Sequence, residues 1–152
     1  MVARTVTPPT GKSSRSPERE RQYHADLVKT SPKIWRVYSG ADGESHVAEL
    51  PLDLKPFVDV EGAHGQTSPR QAATGIVFRV APPGYVLDWH CAPRRQYSIS
   101  LSGVAEIEVG DGTVVRVGPG DVVLAEDLTG RGHITRVVGA EPRCYALVPI
   151  VD

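Results

Sequence analysis

From Ile34 to Val151 the chain is a succession of short apolar runs, each cut off by a Gly, Pro or Asp turn. This pattern most restricts what it can fold into. The runs are Ile34 to Tyr38, Ser45 to Leu50, Thr74 to Val80, Tyr85 to Cys91, Tyr97 to Leu101, Ala105 to Val109, Thr113 to Val117, Val122 to Leu124, His133 to Val138 and Cys144 to Val151. None is long enough for a typical helix, and several are rich in β-branched residues. Ala105, Ile107 and Val109 alternate with Glu106 and Glu108, the period-two signature of a half-buried strand. Asp111-Gly112 between two such runs is a hairpin turn, and Gly118-Pro119-Gly120-Asp121 is a second tight turn. Many short strands at regular spacing predict an all-β sandwich or barrel. No period of solenoid or propeller length repeats, and no Gly-rich loop opens a helix as in a phosphate-binding βα unit.

The N-terminal part reads differently. Met1 to Ser16 is rich in Thr, Pro, Ser and Arg and nearly devoid of apolar residues, so it is expected to be disordered. Ser16-Pro17-Glu18 has the order of a helix start, with an N-cap hydroxyl, proline in the first turn and an acid behind it. That predicts a short helix to Leu27 or Val28, closed before Ser31-Pro32. The expected organisation is a flexible arm over residues 1–31 and one folded domain over 32–152. Lys55 to Ala72, polar and interrupted by Gly62, Gly65 and Pro69, reads as one long loop.

Bulk composition narrows the partners. With 152 residues, 40% hydrophobic and 23% charged, the chain suits one soluble domain with a real core. A net charge of -1 and 6% aromatics supply neither a basic surface for nucleic acid nor a base-stacking platform. No run is long enough to span a bilayer. Cys91 and Cys144 are too few and too far apart for a disulfide framework. The first 22 residues lack a secretory apolar region; their Arg and Ser content resembles a transit peptide only weakly. The expected setting is cytoplasmic.

The stretch Gly84-Tyr85-Val86-Leu87-Asp88-Trp89-His90-Cys91-Ala92-Pro93-Arg94-Arg95-Gln96, closed by Gly103, resembles the first sequence motif of the cupin superfamily, G-x5-H-x-H-x(3,4)-E-x6-G. Gly84, His90 and Gly103 match; Ala92 stands at the second His and Gln96 at the Glu. Val117 to Leu124 resembles the turn and strand that lead into the second motif, and His133 falls at that motif's His. With Ala125-Glu126-Asp127-Leu128-Thr129-Gly130-Arg131-Gly132-His133, the chain is similar to small bacterial cupin-domain proteins. The resemblance covers roughly Ile34 to Val151. It implies a single cupin jelly-roll barrel, a fold that hosts many activities.

In the resembling family the face of the strand bearing His90 looks into the barrel. Strand parity puts Asp88 and Ala92 on that face with it. Gln96 and His133 are expected to join them, forming a polar cluster of Asp88, His90, Gln96 and His133 in an apolar cavity. Arg94 and Arg131 at the barrel mouth, with His46 and His64, are the candidate substrate-binding groups. Asp127 reads as a turn-shaping residue. Trp35 and Trp89 read as packing, and His24 as surface.

Cupins hold Fe, Mn, Zn or Ni with three His and a carboxylate. Here only His90 and His133 survive as metal ligands, unless Asp88, His46 or His64 completes the set, so the reading favours no metal. Three functions follow. The leading one is a non-redox, small-molecule enzyme of the isomerase, cyclase or lyase type, acting in specialised metabolism, with His90 and His133 as acid–base groups. The second is a metal-dependent dioxygenase or metal-assisted isomerase. The third is a non-catalytic sensor or carrier of a small ligand. A homodimer is expected from the resemblance, with Ile34 to Leu50 as the segment to exchange.

Overall fold

The computed structural model describes residues 16–29 and 31–151 of the chain. These described residues fall into two compact units, one made of those up to residue 31 with 53–68, the other of 32–52 with 69–151. In the first unit, helix α1 runs Pro17–Lys29, and the Arg19 N–H donates to Ser16 Oγ (3.4 Å), the expected N-cap. The side chain of His24 and the segment from Met1 to Arg15 lie outside what is described. The region read as a loop contains a hairpin, β3 (Lys55–Val58) and β4 (His64–Thr67), paired antiparallel from Lys55–Thr67 to Val58–His64. All four residues of β3 are exposed, so no burial alternation marked it as a strand. Among the described residues no helix is long and apolar enough to cross a membrane.

The second unit is an all-β jelly roll of ten strands: β1 (Ile34–Ser39), β2 (Ser45–Leu50), β5 (Val77–Ala81), β6 (Val86–His90), β7 (Gln96–Ser102), β8 (Val104–Glu108), β9 (Val114–Val117), β10 (Val122–Glu126), β11 (His133–Val138) and β12 (Arg143–Pro149). Six form one sheet in the order β2-β1-β10-β7-β12-β5, and four form another in the order β6-β11-β8-β9. From β5 to β12 the chain passes repeatedly between the sheets, with β8–β9 as a same-sheet hairpin. At that hairpin Gly112 has φ +83°, and the Thr113 N–H donates to Asp111 Oδ1 (2.8 Å). The run Ile34 to Leu50 is paired within its own chain, β1 lying parallel to β10 and antiparallel to β2.

Ala105, Ile107 and Val109 are at most 3% exposed, as their alternation predicts. They pack with Val37, Val115, Val117 and Val123 into the core, flanked by Trp35 and Val47. Ile107 and Val123 also line a cavity of about 360 Å³, so the core closes one side of the enclosed space.

Candidate functional site

The cavity draws its lining from both sheets, and it is mostly apolar. Of the residues singled out from sequence, His90, Gln96, His133 and Arg94 line it. Ala92 also lines it, 5% exposed, so the place of the second motif His is an inward methyl.

Asp88 is a correction. It is not among the lining residues; its side chain is exposed and accepts the Trp89 N–H (2.9 Å). Strand pairing gives the reason. His133 faces His90 and Thr135 faces Leu87, so Asp88 and Trp89 together stand opposite the single residue Ile134. Such a bulge breaks the period of two, and Leu87 rather than Asp88 shares the inward side with His90. Arg131 is a second correction: its guanidinium lies 3.7 Å from the Trp89 ring centre, and Nη1 is 3.8 Å from Glu44. It does not line the cavity, and Trp89 serves as its platform. His46 does not line it either; its Nε2 meets both carboxylate oxygens of Asp42 (3.0 and 3.1 Å). His64 opens β4 in the other unit.

His133 and His90 meet across neighbouring strands with ring centres 4.3 Å apart, tilted by 56°. His133, 6% exposed, donates from Nδ1 to Asp127 Oδ2 (2.6 Å), and the same oxygen accepts from Ser45 Oγ (2.9 Å). Asp127 is fully buried, and its Oδ1 has no hydrogen-bond partner among the described residues. The turn role read for Asp127 therefore gives way to a side chain directed inward onto His133. The loop that carries it is pinned, since the Ala92 N–H donates to the Asp127 carbonyl (3.0 Å). Gly132, at φ +80°, brings its backbone so close to His90 that a Cβ there would stand 2.1 Å from the His90 carbonyl oxygen.

His90 is oriented by its own strand: Nδ1 lies 2.8 Å from the Asp88 carbonyl. A carbonyl only accepts, so the proton sits on Nδ1, and a neutral ring carries its lone pair on Nε2. Burial, then the neighbouring His133 imidazole, lower the His90 pKa from 6.5, against the opposing pull of the Asp88 carbonyl. His90 is thus held neutral near pH 7.

Arg94 and Arg95 diverge as alternation requires. Arg94 lines the cavity, while Arg95 donates to Glu126 Oε1 from Nε (2.8 Å) and Nη2 (2.5 Å). Arg36 takes the other Glu126 oxygen (2.5 Å).

Two residues escaped the sequence reading. Asp127 hid in a turn-like segment. Arg143, 3% exposed, hid behind Pro142 at the start of the last strand, yet it lines the cavity with Tyr145, Leu147 and Pro149. The inward alternation of those four positions was the available signal.

A divalent metal does not fit the donor set. Both Nδ1 atoms are committed to protein acceptors, which leaves one Nε2 from each ring. Ala92 offers no donor and Gln96 only a neutral amide. Among the described residues no cluster of three His, Cys, Asp or Glu stands ready for an ion. An open metal site takes three protein ligands, and these residues supply two.

The strand order is that of a two-sheet jelly roll, the architecture that the cupin resemblance of the sequence implies, and it brings an imidazole pair together inside. No protein-family model and no curated protein matches the chain. Among solved structures it is similar to a double-stranded β-helix domain protein from Klebsiella pneumoniae, with 30% identity and a TM-score of 0.40, over 48% of this chain and 63% of that one. The chain thus spans less than two thirds of that protein. It is similar to an RmlC-like cupin protein from Desulfovibrio desulfuricans, at 11% identity and a TM-score of 0.38, over 95% of this chain and 97% of the other. It is also similar to NovW, a 4-keto-6-deoxy sugar epimerase from Streptomyces spheroides, at 13% identity and a TM-score of 0.37, over 78% and 70%.

Proposed function

We propose that this protein is a small-molecule enzyme that moves protons without redox chemistry inside its barrel, with His90 and His133 as the working pair. The observation that carries the reading is the buried Asp127–His133 contact of 2.6 Å set beside a second imidazole at 4.3 Å between ring centres. Asp127 fixes the His133 proton on Nδ1, presents Nε2, and offsets the positive charge that develops when Nε2 takes a proton. His90, neutral with its lone pair on Nε2, is the complementary base. Two such nitrogens at one point of an apolar cavity suit removal of a proton at one atom and its return at another. They equally suit loss of water assisted by an acid and a base. The reaction class is therefore isomerisation, cyclisation, dehydration or decarboxylation.

Gln96 supplies a neutral amide to orient the substrate, and Arg94 a cation at the cavity wall. A second copy of the chain is the expected macromolecular partner. β5 is the outer strand of its sheet, with Ile76, Phe78 and Val80 exposed beside it and along it, an edge that monomers rarely leave open.

The test is solvent-deuterium exchange, followed by NMR, in a library of small metabolites incubated with the protein. The reading expects incorporation or turnover of at least one compound, lost in His133→Asn and in His90→Asn. Saturable binding with neither exchange nor product would favour a carrier or sensor instead.

A further inference from the structure

Arg143 is the one cavity-lining arginine that is buried, at 3% exposure. Its Nη2 donates to the hydroxyls of Ser98 (3.3 Å) and Ser100 (3.1 Å), and its guanidinium carbon lies 4.3 Å from the Tyr145 ring centre. Among the described residues no carboxylate takes it, and its buried Nε has no partner. A guanidinium stays charged in a protein, and burying one without a counter-charge is costly. Burial lowers its pKa below the usual arginine value, in line with that cost. The rest of the lining sharpens the imbalance: Arg79 and Arg94 also border the cavity, and no Asp or Glu does.

The placement is also specific. Arg143 begins β12, beside the Ser102 end of β7, whereas Gln96 opens β7 at the end where β10 runs into the Asp127 loop. The guanidinium reaches back along β7 to Ser98, which is two residues, roughly 7 Å, from Gln96. Its neutral hydroxyl and aromatic neighbours hold it in position without cancelling its charge.

We propose that the cavity takes a small organic acid and that Arg143 receives its carboxylate, holding the remainder of the molecule toward the His90–His133 end. This rests on the reading of the cavity as a reaction site and adds the class of substrate to it. Of the three lining arginines, Arg79 and Arg94 are exposed to solvent, so only the buried Arg143 lacks compensation for its charge, and one negative charge balances it, which favours a carboxylate over a phosphate monoester. Arg143 is then a binding residue, and the negative charge its burial lacks arrives with the ligand.

The experiment titrates the full-length protein with a panel of monocarboxylates from acetate to benzoate, each paired with its uncharged amide, and with inorganic phosphate. Binding is read by calorimetry and by the NMR shift of the arginine Nε–H signals. The expected result is saturable binding of one or more carboxylates, with a moved Arg143 Nε–H signal. The matching amide and phosphate should bind weaker by about tenfold or more. Arg143→Gln should lose about tenfold or more in carboxylate affinity, and Arg143→Lys should recover part of it. Arg116→Gln, at an exposed arginine outside the cavity, should bind as the wild type does. Should Arg143→Gln fail to fold, Arg143→Lys and the wild-type Nε–H titration carry the same test.

Equal binding of acid and amide, phosphate binding as well as the carboxylates, no binding by any carboxylate, or full affinity without Arg143 would each overturn the proposal. The two readings fail separately. Arg143-dependent carboxylate binding with no loss of turnover in His133→Asn removes the acid–base roles and leaves the binding site standing. Histidine-dependent turnover of an uncharged compound does the reverse.

Discussion

Asp127 Oδ2 lies 2.6 Å from His133 Nδ1 with no solvent access to the carboxylate. One oxygen serves both the imidazole and the Ser45 hydroxyl, so the side chain couples β2 to the first residue of β11. Asp127→Asn presents an amide that can turn its NH₂ toward Nδ1 and so favour the wrong tautomer. We expect folded protein whose turnover is down by about two orders of magnitude or more, as in other His–carboxylate pairs. Asp127→Ala strands two buried polar groups and should cost about 2–3 kcal/mol in denaturant unfolding.

The His90 pKa is lowered by burial and by its imidazole neighbour, and the sign of the resulting pH effect is definite. In the unfolded chain the ring binds a proton below about pH 6.5, while the folded protein resists it down to the lowered value. Between those two values the unfolded state holds more protons, so this contribution to stability is present above pH 6.5 and is lost as pH falls. Unfolding curves measured from pH 7.5 downward should show the slope in the wild type and a shallower one in His90→Gln. Turnover should likewise have an acid limb below pH 6.5, where His90 becomes protonated.

Ala92→His returns an imidazole to an inward position two residues from His90. With His90 and His133 it would make three nitrogen donors, enough for zinc or nickel. Calorimetry should find about one equivalent of metal bound by the variant, tighter than by the wild type, and His133→Asn in the variant background should abolish the gain. Equal metal affinity in wild type and variant would contradict the placement of Ala92.

Gly132→Ala tests how the imidazoles are brought together. A Cβ at φ +80° would be strained, and it would press on the His90 carbonyl at 2.1 Å. We expect a loss of about 2 kcal/mol or more in stability. The His90 and His133 ring signals should shift in NMR even where the fold persists.

The fold was legible because barrel strands bury one face, and burial writes period two into residues such as Ala105, Ile107 and Val109. The imidazoles were legible because the motif spacing fixes them on facing strands, where His90 and His133 indeed pair. Asp88 misled because a bulge adds a residue without leaving a mark in composition. The β3–β4 hairpin was missed because β3 buries neither face, so its pairing had no apolar signature. Asp127 and Arg143 were missed for a shared reason. Each is a charged residue beside turn-forming residues and normally solvated; the path of its loop buries Asp127, and the alternation of β12 with Tyr145 and Leu147 turns Arg143 inward.

The bulge in β6 also divides the stretch from Tyr85 to Ala92 into two halves of opposite parity. Before it, odd-numbered residues face the cavity, Tyr85 and Leu87; after it, even-numbered ones do, His90 and Ala92. Each half is thus an independently editable module. Replacements at 85 and 87 can resculpt the walls for a differently shaped guest while the imidazole keeps its aim, a separation of shape from chemistry that a regular strand, with every inward position in one phase, does not offer.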